Sequence, residues 1–515
     1  MPPRRLTLAS ETTTNRALGR RARRLRDDTA AVALLTLLAA AIRLPTLAEQ
    51  SFWLDEGYTV RLVRMSFGGM LHTIPRTEST PPLYYVLAWA WTHVFGSSEF
   101  GLRSLSAVAG IATVPVAYAA ARRLAGARAA VICGLLIAAS PIMVWFSQEA
   151  RAYALAALLS TVTVLCLVGW LLERRTRWLA GWAVAAALGL VTHYFLVFIV
   201  VGELAILWWR WRAQPDRRLA VATTAVVAVA IALVPLALAQ RGTGHADYIA
   251  QGSLTTRILQ VPKQFLIGYA SPAQVGTAVA ATLLVLAGAV WPLVRNRAAR
   301  RRAAIPLAVG LGAVVVPVLL AVVGIDFLDT RNLLPALPPL ALAASIGFAA
   351  AAPRLPRRAM ALGLAAILLA VVVLVDLDPV YQRDNWRGAA LALGPSAAAR
   401  AIVVTPGFGL TPLQAYLPRL GPLARPAAVR EIDVVAIPVQ VTGAGIGIPP
   451  RPATPLPVPP GFRLVHAVAS RTYTVLIYRA AAPAVVTGAS AAADHLGHTS
   501  YTPLLQSPVA QSGEG

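Results

Sequence analysis

The chain has 515 residues, of which 57% are hydrophobic and only 13% charged; a soluble protein would carry about a quarter charged residues, which excludes an ordinary soluble domain. The net charge of +24 would fit a nucleic-acid binder. The arginines, however, sit in short clusters between apolar runs, the positive-inside pattern of a polytopic membrane protein, which excludes nucleic acid as the partner and makes the lipid bilayer one.

Residues 1–28 read as a basic cytoplasmic tail, densest at Arg20–Arg26. Apolar runs follow at 29–47, 104–121, 128–146, 153–172, 178–191, 195–209, 219–239, 274–294, 303–323, 332–350 and 359–377, and repeated runs near the roughly 20 residues that cross a bilayer are read as spans. The first is taken as a retained span rather than a cleaved signal, because a polar loop and further spans follow it. Basic clusters lie at Arg4–Arg26, Arg122/Arg123/Arg128, Arg174/Arg175/Arg177, Arg210–Arg218, Arg295–Arg302 and Arg354–Arg358. Eleven spans put all of them on one side, the cytoplasm, with the N-terminus inside and the C-terminus outside. The expected fold class is a polytopic α-helical membrane protein, with 29–377 as the transmembrane domain and 48–103 as its first external loop.

Segment 82–96 is apolar too, yet counting it as a span would invert every later loop. As a helix it reaches about 22 Å, short of a roughly 30 Å hydrocarbon core. Tyr84, Tyr85, Trp89 and Trp91 prefer the membrane–water interface. We expect a helix lying on the outer surface, started by Pro81-Pro82. From 378 onward hydrophobic density falls and prolines rise. Asp384-Asn385-Trp386-Arg387-Gly388 opens a helix to about Leu393, Ala401–Thr405 reads as a buried strand, Pro406–Gly409 as a turn, and Phe462–Ala467 with Thr472–Arg479 as a hairpin. The expectation is a small external α/β domain over 378–480, containing a proline-rich loop at 445–460, and a disordered tail over 481–515. Cys133 and Cys166 lie in apolar runs and are expected to pack as hydrophobes, not to form a disulfide.

This topology collects chemistry at one rim. Asp55 and Glu56 follow the first span; Glu149, Arg151 and Tyr153 lie between the third and fourth; His193 and Tyr194 between the fifth and sixth; Lys263 in a longer loop; Arg331 at the head of the tenth. Acids at a bilayer mouth are costly and mark ion paths or chemistry. Acids alone would fit cation binding, and bases alone an anionic lipid. Together they suit a reaction in which a hydroxyl loses a proton while a phosphate leaves: a carboxylate accepts the proton, and cationic donors stabilise the departing phosphate. Asp55, Glu56 and Glu149 are the catalytic candidates. Arg331, His193, Lys263, Arg43 and Arg151 are the phosphate-binding candidates, with Arg43 offsetting the desolvation of the base. Tyr58, Tyr84, Tyr153 and Tyr194 are the substrate-binding candidates. Two acids beside a phosphate also suit a divalent cation, Mg or Mn, a part that Arg and His would otherwise take, so the metal stays unassigned.

In order along the chain, Trp53-Leu54-Asp55-Glu56-Gly57-Tyr58, Pro81-Pro82-Leu83-Tyr84-Tyr85, Phe100-Gly101-Leu102-Arg103, Ser147-Gln148-Glu149-Ala150-Arg151-Ala152-Tyr153, His193-Tyr194 and Arg331-Asn332-Leu333-Leu334-Pro335 resemble the bacterial membrane glycosyltransferases of the GT-C fold, in the group of protein O-mannosyltransferases and the lipid A aminoarabinose transferase. The resemblance covers about residues 30–390. It implies a polyprenyl-phosphate-linked sugar donor, an inverting transfer outside the cytoplasmic membrane, and juxtamembrane helices in the first external loop. By position Asp55 matches the family's proposed base, Glu149 the acid of its second external loop, and His193 a basic residue near the donor phosphate. Thr80 stands where many relatives have His or Lys before the proline pair; Arg76 and His72 are the nearby substitutes. Mannose is the sugar the resemblance favours; the acceptor is left open between protein, glycolipid and polysaccharide. A lipid-linked sugar flippase is the competing class, but the spans are mostly uninterrupted, no repeat is visible, and the polar residues sit at one rim rather than the midplane.

Overall fold

A computed structural model describes residues 26–350, 354–438, 458–492 and 501–508. Most of the expected N-terminal tail and of the proline-rich loop fall outside the described residues. Helix α1 occupies 26–43. The first loop folds into α2 (Leu54–Val63), α3 (Phe67–Thr77) and α4 (Leu83–Phe95). The bundle continues with α5 (Glu99–Ala125), α6 (Ala127–Ala139) and α7 (Pro141–Ser147), α8 (Tyr153–Glu173), α9 (Thr176–Thr192), α10 (Leu196–Ala213), and α11 (Arg217–Ala232) running into α12 (Val234–Arg241). Short α13 (Tyr248–Gln251) and α14 (Leu254–Ile267) precede α15 (Gln274–Val285), a π-turn and α16 (Trp291–Arg295), α17 (Arg297–Val322), α18 (Leu337–Ala349) and α19 (Arg354–Leu377).

All eleven predicted apolar stretches are helical. Among the described residues, six helices are long and apolar enough to cross a membrane, seven if the bent α6–α7 pair is one span, and Leu334–Ala349 is a shorter apolar helix. Helix α9 has only 17 residues, and α10 carries Glu203, Arg210 and Arg212. The ends segregate by charge. Arg122 pairs with Asp28, Arg123 with Glu173, and Arg218 reaches Thr176 at one end of the bundle. At the other end the loops after α1, α7 and α9 meet.

Segment 82–96 forms α4, started by Pro82, which sets φ while the N–H it lacks would be unsatisfied there anyway. Its inner face buries Tyr84, Tyr85 and Ala88, and its outer end leaves Val94 and Phe95 exposed. The 58° bend between α6 and α7 falls at Pro141, whose missing N–H frees a carbonyl of the preceding turn. Arg43 supplies donors there: Nη2 to Ile137 O at 3.2 Å, Nη1 to Ala138 O at 2.9 Å, and Nε to Ser147 Oγ at 3.1 Å.

The C-terminal domain begins with α20 (Trp386–Leu393), whose first turn is capped by Asn385 accepting from Gly388 N at 2.9 Å. Strands β1 (Arg400–Thr405), β2 (Leu420–Pro422), β3 (Ala427–Ala436), β4 (Phe462–Ala469), β5 (Thr474–Val486) and β6 (Thr502–Gln506) form one sheet in the order β2-β6-β1-β3-β5-β4. Only β1 and β3 run parallel. Alternate residues feed two cores: Ile402, Val404 and Val435 pack against Trp386, and Val403, Ile432 and Val434 against the opposite layer. With both faces covered, β1 is buried at every position. Two boundaries differ from expectation. Strand β5 runs past 480 to Val486, and Thr502–Gln506 of the expected tail is an inner strand beside β1; no local pattern at 502–506 signals that long-range pairing.

Candidate active site

Asp55 and Glu56 occupy the first turn of α2, where the helix dipole favours acids. Adjacent helical residues point about 100° apart, and the two acids part company. Glu56 turns inward and is fully buried. Arg103 grips it with Nε to Oε1 at 2.7 Å and Nη2 to Oε2 at 2.6 Å, and Ala150 N donates to Oε1 at 2.8 Å. Burial alone would raise the Glu56 carboxyl; Arg103 and the Ala150 N–H hold it below the ordinary range. Asp55 turns outward into a cavity of about 530 Å³. Arg331 Nη1 meets its Oδ2 at 2.8 Å.

The cavity's polar end is lined by Asp55, Tyr58, Glu78, Arg151, Tyr153, His193, Tyr194 and Arg331. Its flank between α9, α10, α11 and α12 is apolar, with Leu190, Val197, Leu233, Val234 and Leu238. Arg151 Nη1 donates to Glu78 Oε2 at 2.8 Å, and Tyr85 OH donates to the same oxygen; burial raises the Glu78 carboxyl despite Arg151. Arg331 also lies 3.5 Å from Asp329 Oδ2, whose carboxyl burial pushes up to about 6. Tyr194 OH donates to Gln240 Oε1 at 2.7 Å.

His193 caps α9. Phe195 N donates to its Nδ1 at 3.2 Å, so the neutral ring carries its proton on Nε2. Burial, then the like charges of Arg151 and Arg331, push it down to about 3, and the ring is neutral at pH 7. Among the described residues Nε2 has no hydrogen-bond partner. The expected phosphate contact is therefore a neutral N–H donor rather than a cation. His193→Phe is expected to lower turnover by roughly tenfold, the scale of one hydrogen bond left unmade, with His193→Gln recovering part of it; equal rates for both variants in initial-rate assays would remove this role.

Besides Glu56, four predicted residues lie outside this lining. Glu149 is fully buried behind it, paired with Arg383 Nη2 at 3.1 Å, with Oε1 unpartnered among the described residues; burial pushes it up to about 7 against the pull of Arg383. Arg43 caps the α6–α7 bend rather than standing beside the base. Tyr84 is buried, its hydroxyl 2.9 Å from Ser106 Oγ. Lys263 donates to Tyr269 O at 2.8 Å, and burial lowers its ammonium to about 8. Arg76 donates to its own helix at His72 O, and neither residue lines the cavity. The sequence alone assigns no role to Glu78, Arg103 or Arg383. An acid three residues before Pro81-Pro82 was a usable signal for Glu78; Arg383 meets Glu149 across 234 positions and had none. Each of the four clustered acids, Asp55, Glu56, Glu78 and Glu149, has an arginine partner. Among the described residues no group of three or more His, Cys, Asp or Glu is arranged to hold a metal.

Residues 79–238 match the family model described as dolichyl-phosphate-mannose-protein mannosyltransferase. The segment contains the proline pair, Arg103, Glu149, Arg151 and His193. The fold is similar to that of ArnT from Cupriavidus metallidurans, with a TM-score of 0.53 at 14% identity over 87% of this chain and 98% of that one. The Archaeoglobus fulgidus oligosaccharyltransferase is also similar, with a TM-score of 0.45 at 13% identity over 72% of this chain and 58% of that one. No curated protein sequence matches. The chain thus shares the fold of ArnT, and residues 79–238 carry a segment similar to a glycosyltransferase family model.

Proposed function

We propose that the protein moves a single sugar, mannose in the first instance, from a polyprenyl-phosphate-linked donor to an acceptor hydroxyl on the extracytoplasmic face of the cytoplasmic membrane. The observation that carries this reading is a cavity whose one end holds Asp55, Arg331, Arg151 and His193 and whose flank is apolar. Its volume falls in the range of small-ligand sites, enough for a sugar phosphate and the first isoprene units, with the rest of the tail left to the lipid. The similar ArnT structure is bound to undecaprenyl phosphate, a carrier of that class.

Asp55 accepts the acceptor's proton as its oxygen attacks the anomeric carbon. The bond from that carbon to the phosphate oxygen breaks, and polyprenyl phosphate leaves. One displacement inverts the anomeric centre. Arg331 and Arg151, aided by His193 Nε2–H, stabilise the charge that accumulates on the leaving phosphate. Lys263, bonded elsewhere, has no part in this scheme. The basic clusters at the far end of the bundle support an eleven-span arrangement with the cavity outside.

Purified protein in lipid nanodiscs, given labelled polyprenyl-phosphate mannose and envelope extracts, is expected to release polyprenyl phosphate and label an acceptor. Absence of transfer from a panel of polyprenyl-phosphate sugars would overturn the reading. Because each acid already has a guanidinium partner, EDTA is expected to leave the initial rate unchanged.

A further inference from the structure

The chain between α1 and α2 presents five successive main-chain carbonyls, and two arginines from opposite sides take all of them. Arg103, rising from α5, donates to Leu47 O at 2.8 Å, Gln50 O at 2.7 Å and Ser51 O at 2.8 Å. Arg387, on α20 of the C-terminal domain, donates to Ala48 O at 2.9 Å and Glu49 O at 2.6 Å. Carbonyls of an exposed loop normally go to water; here they are fixed to two rigid helices.

The same domain holds the next residues. Phe52 N donates to Tyr416 OH at 2.6 Å, and Tyr416 OH donates to Glu99 Oε1 at 2.8 Å, which also lies 3.3 Å from Arg387 Nη1. Ser51 Oγ donates to Asp384 O at 2.6 Å. The short helix α21 (Leu410–Leu413) then presses on α2 itself. A Cβ added to Gly57 would lie 2.9 Å from Thr411 Cγ2 and 3.1 Å from Thr411 O, so only glycine permits this approach, two residues after Asp55.

We propose that the C-terminal domain is a positioning element for the base: Arg387, Tyr416 and the Gly57–Thr411 contact fix the first turn of α2 so that Asp55 faces the cavity and meets Arg331. This rests on the reading of Asp55 as the base. The domain touches main chain and α2, while the cavity's apolar flank lies on α9 to α12. Loosening the clamp therefore misplaces the base without altering the donor's seat, and misplacement near 1 Å costs about a hundredfold in rate.

The test uses the full chain in nanodiscs with polyprenyl-phosphate mannose as donor. Arg387→Ala and Gly57→Ala are expected to lower kcat by roughly ten- to a hundredfold with the donor KM within about twofold. Arg387→Lys, which keeps the charge but not the fork, is expected to recover part of the rate, and Thr411→Ala to recover part of it in the Gly57→Ala background. Monodisperse elution and an unchanged unfolding temperature identify variants that fold. Wild-type kcat in both folded variants, or a loss expressed as a raised donor KM, overturns the proposal. Asp55→Asn run in parallel separates the two ideas: turnover in that variant defeats the base assignment, whereas an inactive Asp55→Asn beside fully active Arg387→Ala and Gly57→Ala defeats positioning alone.

Discussion

Asp55→Asn is expected to abolish sugar transfer, with kcat reduced by roughly 10²- to 10⁴-fold, the range over which general bases contribute. The amide is nearly isosteric with the carboxylate and sits in a partly solvated position, so the protein folds. What changes is the capacity to take a proton. The substitution also ends the 2.8 Å ion pair with Arg331, freeing a guanidinium that faces the donor phosphate in the proposed scheme. The donor KM is therefore expected to hold or fall while kcat collapses. Initial rates across a donor series measure both. Wild-type turnover defeats the assignment; a raised donor KM with unchanged kcat would assign Asp55 to donor binding instead.

The second large effect is on stability. Arg103→Ala removes the side chain that grips Glu56 and three main-chain carbonyls together. Glu56 is left as a carboxylate with no access to water. Breaking one side of a buried pair costs about 3–5 kcal/mol, and thermal unfolding in detergent is expected to show that loss. Arg103→Lys recovers little, because a single ammonium cannot reproduce a fork that spans both Glu56 oxygens and the carbonyls. Glu56→Gln is expected to be milder, since its amide oxygen still accepts from Arg103 and Ala150. A stability equal to wild type in Arg103→Ala would show that the pair is dispensable.

The sequence revealed much of the bundle because apolar runs and arginine clusters are local signals. Segment 82–96 reads as a helix on its length and aromatic residues, and α4 occupies it. The gathering of Asp55, Arg151, His193 and Arg331 followed from topology alone, since alternate loops must share an end. Direction within that end was harder. Asp55 and Glu56 read as a pair, yet the helical rotation between neighbours sends one to the cavity and the other to Arg103. Arg43 read as a cation beside the base, but the backbone defect at Pro141 claims it. Glu149 with Arg383, and Arg387 with the 48–49 carbonyls, join residues far apart in sequence, and no spacing rule anticipates them. The protonation of His193 was likewise invisible, because it depends on burial and on two neighbouring guanidinium groups.

The order of strands in the C-terminal sheet has a bearing on how the molecule is made. Strand β6 comes last of the six along the chain yet lies between β2 and β1. Without β6 the edge of β1 away from β3 is unpaired, and an unpaired strand edge is a template that any stray extended segment can fill. Assembly of this lobe is therefore not strictly sequential: its final stitch joins residues about a hundred positions apart, Val404 with Thr502 and Arg400 with Gln506, after the intervening chain has been delivered.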